Sequence, residues 1–249
     1  MSSNNPQSVP SGGKQRVLVN VILDRSGSMS TKVQDVIGGF NLYLDELAKE
    51  PAVDYGFSLT LFDTAVDMKH KAVPLAKVAK LDDANYRPSG NTALFDAIGN
   101  TVQTVGTNGF DKIITVIMTD GEENSSREWS LQAVRELIKS KEAAGNWTFV
   151  FLGADLDAFT QGKNLGVPAA NSVRYDAADY RAVYASLSNR TNRLSSSPES
   201  RSPDFFKGEA PGIERKAGKE KKAGIAQKNH PGIFQKAAAR LGLRRPEQK

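Results

Sequence analysis

The sequence predicts a doubly wound α/β fold, a parallel sheet carrying helices on both faces. Two observations support this. Short β-branched apolar runs alternate along the chain with segments whose apolar residues recur at helical spacing. The runs are almost unbroken, as in strands buried on both faces, and strands of that kind are joined by helices that cover the sheet.

The elements follow in chain order. Arg16 to Asp24 (RVLVNVILD) is a buried strand that ends on a carboxylate. Val33, Val36, Ile37, Phe40, Leu44 and Leu47 then describe an amphipathic helix packed on the sheet. Tyr55 to Phe62 is a second strand, and Ala65 to Lys69 is a short edge strand. Thr92 to Val105 places Leu94, Ala97, Ile98, Thr101, Val102 and Val105 on one helical face. Lys112 to Thr119 (KIITVIMT) is another strand, Leu131, Val134 and Ile138 mark the next helix, and Trp147 to Leu152 is a fifth strand. Asn171 to Tyr175 is read as a last edge strand, and Ala177 to Asn192 as a last helix with Tyr180, Val183, Tyr184 and Leu187 inward.

Charge divides the 249 residues unevenly. Residues 1–194 hold 20 Lys+Arg against 22 Asp+Glu, whereas residues 195–249 hold 13 against 6, so the overall +5 belongs to the C-terminal stretch. That stretch opens with the linker-like SSSPESRSP and is poor in large apolar residues, too poor to offset the entropy of ordering it. The expected organisation is a flexible N-terminus over 1–14, one globular domain over 15–194 and a basic, disordered tail over 195–249. Within the tail, Pro211-Gly212-Ile213 is echoed by Pro231-Gly232-Ile233. Ile233, Phe234, Ala237, Ala238 and Leu241 share a helical face ringed by Lys236, Arg240, Arg244 and Arg245. Nonspecific nucleic acid or an acidic protein is the partner such a segment would attract by charge.

The chain has no cysteine, which excludes disulfides, thiolate metal sites and thiol nucleophiles and agrees with a reducing compartment. Met1 to Gly13 is polar and lacks an apolar core of signal-peptide length, and no run approaches the roughly 18 apolar residues of a membrane span. A cytoplasmic location is expected.

Chemistry gathers at the ends of the strands. Asp24-Arg25-Ser26-Gly27-Ser28 sets three oxygen side chains at alternate positions just beyond the first strand, where an extended turn projects them to one side and Gly27 permits a bend. Ser89-Gly90-Asn91-Thr92 at a helix start and Thr119-Asp120-Gly121 at a strand end supply further donors. With a strand order of 3-2-1-4-5-6, the crevice where that order reverses lies between the first and fourth strands, so Asp24 and Asp120 face each other there.

Asp-x-Ser-Gly-Ser, a distant Thr preceded by Gly-Asn, and Thr-Asp-Gly after an apolar strand together resemble the metal-ion-dependent adhesion site of von Willebrand factor type A (vWA) domains. The likeness in element order covers roughly residues 16 to 190. It implies a Rossmann-like, six-stranded, mostly parallel sheet with one antiparallel edge strand, the segment from Ala65 to Lys69. It also implies that Asp24, Ser26, Ser28, Thr92 and Asp120 hold one divalent cation, Mg²⁺ or else Mn²⁺ or Ca²⁺. Ser26, Ser28 and Thr92 would contact the metal, with Asp24 and Asp120 acting partly through water. Such oxygen donors suit hard cations, and Mg²⁺ keeps positions open to a partner protein's Asp or Glu. The implied function is metal-dependent protein binding, cytoplasmic and stand-alone, as in bacterial or phage proteins of this type.

An enzyme is the contrasting expectation. Magnesium-dependent phosphatases of the haloacid dehalogenase type resemble Asp-x-Asp in the first loop, where this chain has Ser26. Neither His70 nor His230 is placed to activate a serine, and glycine-rich phosphate loops are absent. A third reading makes the domain a subunit or scaffold attached through its basic tail. Glu122 and Glu123 are expected to be solvated loop charges, and Arg25 either ordinary surface or a guide for a partner's acid.

Overall fold

A computed structural model describes residues 13–106, 109–153, 156–174 and 180–207. The features expected at residues 1–12 and beyond 207, including His230 and the echoed Pro-Gly-Ile, lie outside the described residues.

Six strands form one sheet: β1 (Gln15–Asp24), β2 (Val53–Phe62), β3 (Val66–Pro74), β4 (Lys112–Thr119), β5 (Trp147–Gly153) and β6 (Ser172–Arg174). Their order is β3-β2-β1-β4-β5-β6, parallel throughout except for the β2–β3 pair, as the sequence predicts. The helices are α1 (Val33–Leu47), α2 (Leu94–Thr104), α3 (Leu131–Ala143), α4 (Leu156–Asn164) and α5 (Tyr180–Ser196). No described helix is long and apolar enough to cross a membrane.

The period-2 alternation of each strand feeds two cores. Val17, Val19, Val21 and Leu23 of β1 pack with Val36 and Phe40 of α1 and with Val183 and Leu187 of α5. Leu18 and Ile22 point the other way, toward Leu94, Ile98 and Val102 of α2 and Val134 and Ile138 of α3. Both faces of β1 and β4 are therefore buried, which is why their sequences read as continuous apolar runs.

Three elements differ from the sequence reading. β3 runs to Pro74 instead of stopping at Lys69, because a half-exposed edge strand needs no apolar run to announce it. Its pairing with β2 is irregular, and Ala72, at φ 48°, donates its N–H to Ser58 Oγ at 2.8 Å. Helix α4 went unread because its sequence, LDAFTQGKN, shows little apolar periodicity. Gly162 lets it lie close on β5, since a Cβ there would come within 2.6 Å of the Phe151 ring.

The third difference concerns the tail. Residues 195–207 were expected to begin it, yet α5 continues to Ser196 and the following segment packs against the sheet. Asn171 accepts the Phe205 N–H at 2.6 Å and donates to the Ser202 carbonyl at 2.9 Å, while Phe205 and Phe206 are buried. Lys112 closes the end of α5, its buried ammonium donating to the carbonyls of Leu194, Ser195 and Ser197. Burial lowers the pKa of Lys112, against the opposing charges of Glu199 and Asp111.

Helix α1 meets α5 through a close approach at Gly39. A Cβ there would fall 2.0 Å from a ring carbon of Tyr184, which is itself buried, whereas the neighbouring Gly38 is exposed with nothing within 4 Å. Gly39→Ala should therefore destabilise the domain by about 1–3 kcal/mol. Gly38→Ala should be neutral or stabilise it by up to ~1 kcal/mol, since alanine is the better helix former. Chemical denaturation of both variants checks this, and equal stabilities would contradict the packing.

Candidate functional site

The carboxyl ends of β1 and β4 are neighbours, and the loops leaving them diverge to either side. Asp24, fully buried, ends β1. Its Oδ1 accepts the Ser26 N–H at 2.6 Å and its Oδ2 accepts the Thr119 hydroxyl at 2.5 Å. Ser26 continues the extended backbone, so alternation carries its side chain to the same side as Asp24. Beyond it the expected extension fails. Gly27–Lys32 is a 3₁₀ turn anchored by the buried Met29, and this turn folds Ser28 back to place its Oγ 3.1 Å from Ser26 Oγ.

Gly27 serves close approach, not the bend expected from sequence. Its N–H donates to the Gly90 carbonyl at 3.1 Å, and a Cβ there would sit 3.3 Å from the same oxygen. Gly90 is at φ 68°, where glycine is favoured, and a Cβ on it would strike Thr64 Oγ1 at 2.6 Å. With Ser89 N–H donating to the Arg25 carbonyl at 2.9 Å, the first loop is laced to the segment that leads to Thr92.

Asp120 stands at the end of β4 with its side chain only 1% exposed. Ser28 Oγ donates to its Oδ1 at 2.5 Å, and the Lys32 ammonium pairs with its Oδ2. Next in sequence, Gly121 faces the space between the loops. A Cβ on it would lie 3.1 Å from Thr92 Oγ1, 3.5 Å from Ser28 Oγ and 4.0 Å from Ser26 Oγ. The three hydroxyls therefore border one small volume that a methyl group would enter, and the two carboxylates hydrogen-bond to residues of its rim. All five residues singled out in the sequence meet here, in a set of oxygen donors of the kind hard divalent cations take. Among the described residues no group of three His, Cys, Asp or Glu could hold a metal ion, so a cation at this place would rest on hydroxyls as much as on carboxylates.

The supporting residues were harder to foresee. Glu123, expected to be solvated, accepts the N–H groups of Phe95, Ser125 and Ser126 and the Ser126 hydroxyl. Glu122 is exposed. Asn124 Oδ1 receives the Thr92 N–H at 2.9 Å, and Asp96 receives the N–H groups of Arg127, Glu128 and Trp129. Arg25 is held by Asp63 at 3.0 Å, with both side chains largely buried, so it is not a free cation at the rim. His70 sits half-buried on the edge strand β3, opposite Leu59.

Burial pushes the Asp24 carboxyl up to about 6. The Asp120 charge adds to this, and the hydrogen bonds from Thr119 and Ser26 partly offset it. A folded-state value above the unfolded one means that this group's stabilising contribution is complete below about pH 4 and is lost as pH rises through about 6. In Asp24→Asn the side-chain oxygen can keep the Ser26 N–H. The new amide can donate to Thr119 Oγ1, which already lies 3.2 Å from the Gly121 carbonyl and can donate there. Without divalent cations, the variant should match the wild type near pH 4 and exceed it by about 2–3 kcal/mol near pH 7. A variant that is less stable at pH 7 would refute this account.

No protein-family model and no curated protein matches the chain. Solved structures do. The vWF domain of the type V pili tip protein Mfa5 from Porphyromonas gingivalis matches with a TM-score of 0.61 at 11% identity, over 76% of this chain and 99% of that one. The PilB minor pilin from Streptococcus sanguinis matches at 0.57 and 11%, over 76% of this chain and 65% of the pilin. A von Willebrand factor type A protein from Catenulispora acidiphila matches at 0.50 and 15%, over 72% of this chain and 43% of its own length. The chain thus spans less than two thirds of the pilin and under half of the last protein. Identities this low speak to architecture alone, and the architecture of this chain is a vWA-like fold.

Proposed function

We propose that this chain is a metal-dependent protein-binding module whose metal-ion-dependent adhesion site is formed by Asp24, Ser26, Ser28, Thr92 and Asp120. The observation that carries the reading is the meeting of the Ser26, Ser28 and Thr92 hydroxyls around the bare face of Gly121, with two buried carboxylates against them. Their chemistry fits one Mg²⁺, Mn²⁺ or Ca²⁺ ion. When bound, the ion supplies a positive charge with open coordination positions to an Asp or Glu carboxylate of a partner protein. Ser26, Ser28 and Thr92 are the direct ligands in this reading. Asp24 and Asp120 hold the hydroxyls in place and balance the charge.

Several features favour binding over catalysis. The hydroxyls of Ser26 and Ser28 pair with each other and that of Ser28 donates to Asp120, an arrangement that orients lone pairs without offering an imidazole base. Beside the site, Glu122 and Glu123 border a cleft of about 280 Å³ that Phe95 and the exposed Leu131 also line, a surface for residues flanking a partner's acid. Solved structures of this fold include a pilus tip protein, a minor pilin and a pilus adhesin, which lends support to a role in binding. The excess of basic residues after position 194 favours a compatible second reading, a subunit that attaches through its tail to nucleic acid or an acidic protein.

Isothermal titration should show one Mn²⁺ or Mg²⁺ per chain. Thr92→Ala should weaken that binding by at least about tenfold, as expected when one of few ligands is lost, with the circular dichroism spectrum unchanged. Peptides captured from a random library in Mn²⁺ should be enriched in Asp and Glu and released by chelator. Capture that persists in chelator, or a wild type that takes up no metal, would sink the proposal.

A further inference from the structure

The geometry points to Lys32 as a resident cation of this site, one that pairs with Asp120 in the metal-free protein and competes with a divalent ion for that carboxylate. The inference rests on the metal-dependent reading above, and its test separates the two.

Of the two site carboxylates, Asp24 is satisfied by neutral donors alone, the Ser26 N–H and the Thr119 hydroxyl. Asp120 has one oxygen on the Ser28 hydroxyl and the other on the Lys32 ammonium. Among the described residues, Lys32 is the one charged donor in contact with either carboxylate, because Arg25 is taken up by Asp63. A carboxylate with 1% side-chain exposure is costly without a positive partner, and Lys32 supplies one from within the chain.

The placement of Lys32 also suits departure. Its side chain is 21% exposed while that of Asp120 is 1% exposed, so the ammonium approaches from the solvent side of the pair. It closes the 3₁₀ turn whose backbone is pinned by buried Met29, so the side chain can swing outward with no change in the path of the main chain. A lysine ammonium is compact, strongly hydrated and borne on a flexible stem, properties that let it regain water readily. The Lys32 ammonium and a divalent ion drawn to the same crevice repel each other, and the repulsion is strongest where water is excluded. Metal entry therefore favours the departure of Lys32, and metal affinity is set below what the site's five residues would give without it. The same contact keeps Asp120 and Ser28 in place while no metal is bound.

The test compares Lys32→Met with the wild type by Mn²⁺ calorimetry and by thermal melting, both metal-free and at saturating Mn²⁺. Lys32→Met should bind Mn²⁺ at least about tenfold more tightly. It should melt below the wild type when metal-free, and the gap should close when Mn²⁺ saturates both. Lys32→Arg, which keeps the charge, should retain an affinity near that of the wild type. If Lys32→Met fails to fold, Lys32→Gln, whose amide can still donate to Asp120, provides the same comparison. Equal or weaker Mn²⁺ binding on loss of the charge overturns the role of Lys32 and leaves the metal site standing. No Mn²⁺ binding by any of these proteins overturns the metal reading and this inference with it. Binding by Lys32→Met where the wild type shows none supports the competition by Lys32 and counts against metal-dependent binding by the wild-type chain.

Discussion

Two carboxylates lie at the ends of adjacent central strands, and neither has appreciable access to water. Much of this end of the molecule answers that constraint. An ionised carboxylate in such a place must be neutralised or hydrogen-bonded. Asp24 obtains a backbone amide and a threonine hydroxyl, and Asp120 a serine hydroxyl and an ammonium. Compensation is incomplete at Asp24, where desolvation outweighs the hydrogen bonds and the pKa is raised. The topology makes the position unavoidable. β1 has β2 on one side and β4 on the other, so chain order reverses there and the loops part, leaving a crevice beyond the strand ends.

The loops that border the crevice are themselves held by acids used as hydrogen-bond acceptors. Asp96, in the first turn of α2, gathers three consecutive backbone amides from 127–129. Glu123 reaches back to the Phe95 N–H at the start of the same helix, where negative charge is favoured by the helix dipole. Asn124 fixes the backbone of Thr92, and Gln161 of α4 donates to the Gly121 carbonyl at 2.9 Å while accepting the Glu123 N–H. The position of the Thr92 hydroxyl is thus set by residues on the β4–α2 side of the crevice, and the positions of Ser26 and Ser28 by the 3₁₀ turn and the Gly27–Gly90 contact.

Much of this was legible in the sequence, for identifiable reasons. Strands β1, β2, β4 and β5 are buried on both faces, so burial wrote itself into unbroken apolar runs, while the edge strand β3 has an exposed side and left only a fragment. The five site positions stood out because each falls at an element's end in the chain order of a recognisable motif. Lys32 gave no such sign. A lysine entering an amphipathic helix reads as solvated surface, and its partner Asp120 is 88 positions away. Glu123 is hidden by the same logic, since one of two successive acids in a loop looks solvated until the amides it accepts are placed around it. Phe205 and Phe206 were the overlooked signal in the C-terminal stretch, an aromatic pair whose apolar area can hold a segment that Ser and Pro otherwise mark as a linker.

The arrangement of donors before any ligand arrives bears on how strongly the site can bind. Ordering side chains and loops on association opposes affinity, and a site already in its binding geometry avoids that penalty. Here Ser26 is buried and backed by Asp24, Ser28 is fixed by Asp120, and the backbone of Thr92 is tied to Asn124. The cost has been moved into the folded protein itself, where buried carboxylates destabilise the domain and two apolar cores, one on each face of the sheet, supply the stability that tolerates them. Asp24 meets that burden with neutral donors alone, whereas Asp120 already has the Lys32 ammonium. Under the proposed function, a positively charged ligand would gain from such carboxylates what a neutral one could not.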